Sequence, residues 1–197
     1  MAADRSGPLI ALAGGGTGGH LYPILSVVRE IRRRSPGARF VFFTTQRPID
    51  ARVIRAAMGD TASYDIVEQS VRPLPASVRE AFRFLGAWRA STRLCKQRFR
   101  DERPLVVIGS GGYGSGPAIY VARRKGIRTA LLNPDAMPGR ANRILASRAD
   151  VVFAQWSVVA SHLSRRANVQ VVGCPIRESF AAANRSAGVK RFGLDPG

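Results

Sequence analysis

The sequence predicts an α/β fold, a Rossmann-like doubly wound parallel sheet, and three observations predict it. Short apolar runs alternate with stretches of helical period along most of the chain, the pattern of strands joined by crossover helices. Several of these runs are apolar at nearly every position, as expected of strands covered on both faces. Two of them end in glycine-rich turns that lead directly into a helical pattern. In doubly wound sheets that is how phosphates are held at the carboxyl edge.

Taken in order, strands are expected at Leu9–Ala13, Arg39–Thr44, Tyr64–Val67 (the weakest), Leu105–Ile108, Thr129–Leu132, Val151–Ala154 and Val169–Val172. Helices are expected near Tyr22–Arg34, Ile49–Met58, Ser77–Arg100, Gly116–Arg124, Gly139–Ser147 and Ser157–Arg165. From Glu178 onward Asn184, Arg185, Ser186 and Gly188 interrupt the helical pattern. The chain then closes on Phe192-Gly193-Leu194-Asp195-Pro196-Gly197, a turn signal that should lead into another strand. We therefore expect one compact domain over 1–177 and a linker over 178–197.

Composition narrows the partners. The 197 residues include 31 Lys and Arg against 13 Asp and Glu, a formal charge of +18. Lys96, Lys125 and Lys190 are the lysines, so 28 of the cations are arginine. A coding bias explains arginine over lysine but not the shortage of acids. Such a field attracts phosphates, nucleic acid or an acidic lipid surface. Cys95 and Cys174 are too few and too far apart for a metal site or a disulfide framework, and they fit a reducing compartment. The apolar stretch near the N-terminus reaches glycine after about six residues, short of a signal-peptide core. No run approaches the roughly 20 apolar residues of a membrane span. Nucleic acid is not an expected partner, because no recognition helix, aromatic sheet motif or zinc spacing accompanies the charge.

The first glycine turn is Gly14-Gly15-Gly16-Thr17-Gly18-Gly19-His20. Glycines let the backbone approach a ligand closely, and the following helix offers unpaired N–H groups and the positive end of its dipole. It is not a P-loop, since Gly-Lys-Ser/Thr is absent. It also lacks the acid that a dinucleotide site needs at the end of strand two, where Thr44 and Thr45 stand. His20 is a candidate base, because the dipole at a helix start favours the neutral imidazole. The second turn, Gly109-Ser110-Gly111-Gly112-Tyr113-Gly114-Ser115-Gly116-Pro117, repeats the arrangement after the strand Leu105–Ile108. In the usual doubly wound order these two edges are neighbours at the topological switch. Two such loops on one crevice suit a diphosphate better than a monophosphate.

Gly15-Gly16-Thr17-Gly18-Gly19-His20 with Tyr22-Pro23, and Gly111-Gly112-Tyr113 with Ser115-Gly116-Pro117, resemble two motifs of the MurG-like N-acetylglucosaminyltransferases, glycosyltransferase family 28. Pro138-Gly139-Arg140-Ala141-Asn142 and Gly173-Cys174-Pro175-Ile176-Arg177 are similar to two more, in the same order. The resemblance runs from about Leu9 to Arg177. It implies the N-terminal half of a two-domain GT-B enzyme, an inverting hexosyltransferase that needs no metal and no cofactor. Its substrates would be an undecaprenyl-diphosphate-linked muramyl peptide, held by this half, and UDP-N-acetylglucosamine, held by a C-terminal domain. Gly15, Gly16, Thr17, Gly18, Gly19, Gly111, Gly112, Tyr113, Ser115 and Asn142 would surround the acceptor diphosphate. Arg177 would face the donor. His20 would be catalytic. Where the family usually reads His-Glu-Gln-Asn, this chain reads Leu132-Asn133-Pro134-Asp135. Asn133 cannot take up a proton as a glutamate does, and Asp135 is the nearest substitute carboxylate.

The helix Ser77–Arg100 carries Val78, Ala81, Phe82, Leu85, Trp88, Thr92, Cys95 and Phe99 on one face. That face is expected to pack on the sheet. Arg79, Arg83, Arg89, Arg93, Lys96 and Arg100 flank it, with Phe84 at its edge. A cation belt of this density reads as attachment to an anionic membrane surface through Arg79, Arg83, Phe84, Trp88 and Arg89. The family resemblance implies the cytoplasmic face of the bacterial plasma membrane. Trp156 is expected to pack after a strand end, and His162 to be a surface residue. The chain ends where the family's interdomain linker begins, so these residues alone are expected to be inactive. They would be a fragment or one subunit of a split transferase. A non-catalytic membrane recruiter is the reading from a different class.

Overall fold

The computed structural model describes residues 7–16, 18–59, 63–176 and 184–193. Seven parallel strands form one sheet: β1 Leu9–Ala13, β2 Arg39–Thr45, β3 Tyr64–Gln69, β4 Val106–Gly109, β5 Arg128–Asn133, β6 Val151–Ala154 and β7 Val169–Val171. Their order is β3-β2-β1-β4-β5-β6-β7, the doubly wound order that the alternation predicts. Winding reverses between β1 and β4, which pair from Ile10 with Val106 to Ala13 with Gly109.

Alternation along the buried strands divides the core in two. Leu9, Ala11, Ala13, Val41, Phe43, Val107 and Leu131 face one side with Cys95 and Phe99 of α3 (Val78–Asp101), Ile119 of α4 (Gly116–Arg124) and Leu145 of α5 (Arg140–Ala146). Ile10, Leu12, Phe40, Phe42, Ile108 and Leu132 face the other with Leu21, Ile24 and Val28 of α1 (Gly18–Arg34) and Ile54 of α2 (Pro48–Met58). Within the expected linker a last helix, α6, spans Arg185–Phe192 and takes in Ser186 and Gly188, which the sequence reads as interruptions; a glycine inside a helix costs only about 1 kcal/mol. Among the described residues no helix is long and apolar enough to cross a membrane.

Several expectations change. The helix expected from Tyr22 begins at Gly18 and runs through Pro23, which forgoes only the bond to the Gly19 carbonyl in the second turn. Ser157–Arg165 is a 3-10 turn over Ser157–His162 instead of an α-helix. Val158 and Val159 side by side restrict side-chain freedom there, and a short connector tolerates the tighter winding. Trp156, expected to pack, is 49% exposed beside it.

The largest correction concerns α3. Ser91, Thr92, Cys95 and Phe99 are buried as expected, but Val78, Phe82 and Leu85 are 76%, 74% and 41% exposed. The cause is length. Twenty-four residues make a helix of about 36 Å, whereas the six residues of β3 span about 20 Å. A crossover helix runs antiparallel to its strands, so its surplus turns overhang the carboxyl edge. Ser77 caps this end by accepting from the Glu80 amide, and the Glu80 carboxylate accepts from the Ala76 amide. The overhang is a built helix start, placed beside the glycine turns.

Candidate functional site

Both glycine turns leave the sheet at the β1/β4 switch and touch each other. Backbone bonds fix their roots: the Gly14 amide donates to the Phe43 carbonyl at 3.0 Å and the Ser110 amide to that of Ala13 at 2.9 Å. The Ser115 hydroxyl lies 2.9 Å from the Ala13 carbonyl and 2.7 Å from that of Gly111, and is wholly buried. It ties the second loop to the end of β1, at the root of the first loop. A Cβ on Gly114 would stand 3.2 Å from the Gly14 carbonyl carbon, and one on Gly14 would stand 2.0 Å from the Ser110 Oγ. Glycine at both positions is what brings the loops into contact.

Asp50 sets the shape of the first loop. Its carboxylate is fully buried at the start of α2 and accepts from the Gly16 amide at 3.0 and 3.1 Å. It also accepts from the Thr45 amide at 3.2 Å and the Thr45 hydroxyl at 2.6 Å. These bonds hold Gly15 at φ +127°, where a Cβ would lie 2.3 Å from an Asp50 oxygen. From outside, Arg47 donates to the Gly16 carbonyl at 2.5 Å. Sequence reasoning missed Asp50, because an acid in the first turn of a helix ordinarily answers the dipole. The acid missing from the end of β2 comes instead from the next helix. It holds backbone in place and leaves no side chain for a ribose.

His20 bridges the two loops. Its Nδ1 is 3.0 Å from the Ser110 carbonyl. A carbonyl oxygen can only accept, so Nδ1 carries the hydrogen and Nε2 of the neutral ring keeps its lone pair. That Nε2 lies against Gly112, where a Cβ would come within 3.5 Å. The Tyr113 hydroxyl covers Gly16, where an added Cβ would stand 3.2 Å from it. Gln69, buried at the end of β3, donates to the Gly114 carbonyl at 3.2 Å and steadies the second loop from behind.

Asn142 supports that loop from below. It is buried, and an added Cβ on Gly111 would meet its amide at 2.7 Å. Asn142 donates to the Asn133 side chain at 2.8 Å, and Asn133 donates to the Asp135 carbonyl at 2.7 Å. Asn133 is therefore a buried connector between β5 and α5. The Asp135 side chain is exposed at the same edge. It is close enough to Cys174 that, after burial, its charge is the second cause holding that thiol above its ordinary range. Thr17 and Arg177 lie outside the described residues. Gly18 and Gly19 open α1, with Gly19 exposed.

Beside the second loop is an apolar cleft of about 200 Å³. Phe84 and Trp88 of α3 form one wall, stacked at 5.9 Å and 22°. Thus Phe84 and Trp88 line a cleft, while Arg79, Arg83 and Arg89 point to solvent on the same overhang.

A doubly wound parallel sheet whose switch point carries two touching glycine turns defines a Rossmann-like ligand-binding domain. The profile of the glycosyltransferase family 28 N-terminal domain matches residues 10–154, and the chain belongs to that family. It is 35% identical over 192 residues to the UDP-N-acetylglucosamine–N-acetylmuramyl-(pentapeptide) pyrophosphoryl-undecaprenol N-acetylglucosamine transferase of Moorella thermoacetica, covering 95% of this chain and 49% of that protein. The protein of the same name from Syntrophus aciditrophicus is 35% identical over 171 residues, covering 87% and 46%. The chain spans about half the length of the curated relatives it matches. The crystal structure of Acinetobacter baumannii MurG aligns with a TM-score of 0.66 at 23% identity, over 88% of this chain and 47% of that one. A UDP-N-acetylglucosamine 2-epimerase aligns at 0.61 and 13%, over 86% and 49%. Both share the fold.

Proposed function

We propose that residues 1–177 form the acceptor-binding half of a transferase that moves N-acetylglucosamine from UDP-N-acetylglucosamine to an undecaprenyl-diphosphate-linked muramyl peptide. Residues 178–197 would lead toward the part that holds the donor, with Arg177 on the donor side. The observation that carries this reading is the contact of two glycine loops at one switch point, bridged by His20. The names of the relatives supply the substrates.

The acceptor diphosphate would lie between the first turn of α1 and the Gly111–Ser115 loop. The Gly16 amide is already committed to Asp50. The donors on that side are therefore the first-turn amides of α1, which no helical carbonyl reaches. The acceptor sugar hydroxyl attacks the anomeric carbon of the donor. The bond to UDP breaks with its electron pair leaving on the diphosphate, and configuration inverts. His20 Nε2 takes the hydroxyl proton while Nδ1 stays anchored on Ser110. Asp135 is the second candidate base at this edge.

The α3 overhang, with exposed Val78 and Phe82 among Arg79, Arg83 and Arg89, would rest on an anionic membrane surface at its cytoplasmic face. The lipid-linked acceptor would then meet the loops with the far end of its chain still in the bilayer.

Calorimetry on this chain tests the assignment. A muramyl-peptide diphosphate with a short prenyl chain should bind, and UDP-N-acetylglucosamine should give no measurable heat. Micromolar binding of the nucleotide sugar without binding of the acceptor analogue would overturn it.

A further inference from the structure

The apolar cleft is not needed to hold a diphosphate or a sugar, and its chemistry is opposite to theirs. Its walls are Leu74 from the segment before α3, Phe84 and Trp88 of α3, and Ala141, Ile144 and Leu145 of α5. Three different parts of the chain thus converge on one apolar space. It is continuous with the glycine loop, because Gly112, Tyr113 and Gly116 form another of its walls. Gly112 also meets the His20 ring, and the Tyr113 hydroxyl covers Gly16. The same two residues therefore face the cradle on one side and the cleft on the other. The packing at the join is close: a Cβ on Gly116 would stand 2.9 Å from the Trp88 ring. Trp88 is held in turn by Tyr120, at 5.6 Å.

A ligand that fits this surface has an anionic head and an apolar tail joined directly to it. The geometry points to the cleft as the seat of the first isoprene units of the acceptor's prenyl chain. This rests on the acceptor reading above and extends it. The proximal part of the lipid leaves the bilayer and is held by protein, so the diphosphate is gripped from its apolar side as well as through its charge. A cleft of about 200 Å³ accommodates the first units and not a whole polyprenyl chain. The remainder would continue past Phe84 toward the exposed Val78 and Phe82 of the overhang. Arg72, also on the lining, is a cation at the border of the apolar space.

The test compares inorganic diphosphate with dimethylallyl, geranyl and farnesyl diphosphates, each titrated into this chain below its aggregation concentration. Affinity should rise by roughly tenfold or more per isoprene unit. That is well below the limit set by complete burial of five carbons, because the cleft is open on one side. The gain should level off once the cleft is full. Ala141→Phe fills the cleft, and Leu74→Glu places a charge in its wall. Each should abolish the dependence on chain length and leave inorganic diphosphate binding within about twofold. Two independent variants keep the test decisive if one of them does not fold. If every prenyl diphosphate binds no better than inorganic diphosphate, the cleft assignment fails while the acceptor reading stands. If the chain-length gain survives in both folded variants, the tail sits elsewhere and the assignment fails again. If the variants instead dissociate a dimer of this chain without changing prenyl affinity, the cleft is an interface between copies. If neither inorganic diphosphate nor any prenyl diphosphate binds, the acceptor reading fails and takes this inference with it.

Discussion

Replacing Asp50 with alanine tests what shapes the first glycine loop. The carboxylate is fully buried and receives the Gly16 amide, the Thr45 amide and the Thr45 hydroxyl. The hydroxyl keeps one bond, since it also accepts from the Arg47 amide at 3.3 Å. The two buried amides lose this acceptor. An unsatisfied buried donor costs about 1–3 kcal/mol, and bonds to a charged acceptor lie at the upper end of that range. Asp50→Ala should therefore destabilise the fold by about 3–5 kcal/mol. That is a large share of a total of about 5–15 kcal/mol, and it should lower Tm by roughly 6–20 °C for a chain of this size. Asp50→Asn keeps the volume and one acceptor oxygen, so it should cost about half as much. Urea unfolding gives the free energies, and diphosphate titration of the folded variants reports on the loop. Affinity should fall in both variants, because Gly15 loses the bonds that hold its conformation. An Asp50→Ala protein within about 1 kcal/mol of wild type, or one with unchanged diphosphate affinity, would refute the anchoring argument.

In a two-domain transferase built on this chain, His20→Ala should lower turnover by a factor of about 10² to 10⁴ with little change in Tm. Asp135→Asn should have the smaller effect, and the reverse order would move the base to the carboxylate. The triple change of Arg79, Arg83 and Arg89 to Ser should weaken adsorption to acidic vesicles by about 3 kcal/mol, or roughly 100-fold. Wild-type adsorption should also fall as salt rises, and equal binding to neutral and acidic vesicles would contradict the electrostatic part. Burial pushes the Cys95 thiol from 9.0 up to about 12, so above about pH 9 the unfolded chain loses a proton that the native chain keeps. Stability should therefore fall as pH rises from 9 toward 12. Cys95→Ala should flatten that slope, and identical slopes in denaturant titrations would show that Cys95 is not its source.

The sheet was legible because its information is local. Each of the seven strands lies within two residues of its expected place, and the contact between the glycine loops follows once β1 and β4 are neighbours. What sequence left hidden depends on contacts between distant segments. An acid two residues after Pro48 gives no sign that it reaches back to Gly16. Amphipathic period showed that α3 has an apolar face but not how far the sheet beneath it extends. That period alone therefore places Val78, Phe82 and Leu85 in a core that stops short of them. The cation belt assigns Phe84 and Trp88 to a lipid surface, and the structure adds that they wall a cleft whose other sides come from Leu74 and Ile144. Asn133 looked like the loss of a base. In the structure it is a buried link between Asn142 and the Asp135 carbonyl.

In the proposed function one crevice, between the start of α1 and the Gly111–Ser115 loop, holds the diphosphate of the acceptor. Amide chemical-shift mapping of the 15N-labelled chain during titration with geranyl diphosphate measures this most directly. The largest saturable shifts should fall on Gly18, Gly19, His20 and residues 111–115, with smaller ones at Ala141 and Ile144 along the cleft. Shifts scattered over the arginine-bearing surface, or concentrated on 150–176 with the two glycine loops unmoved, would contradict it.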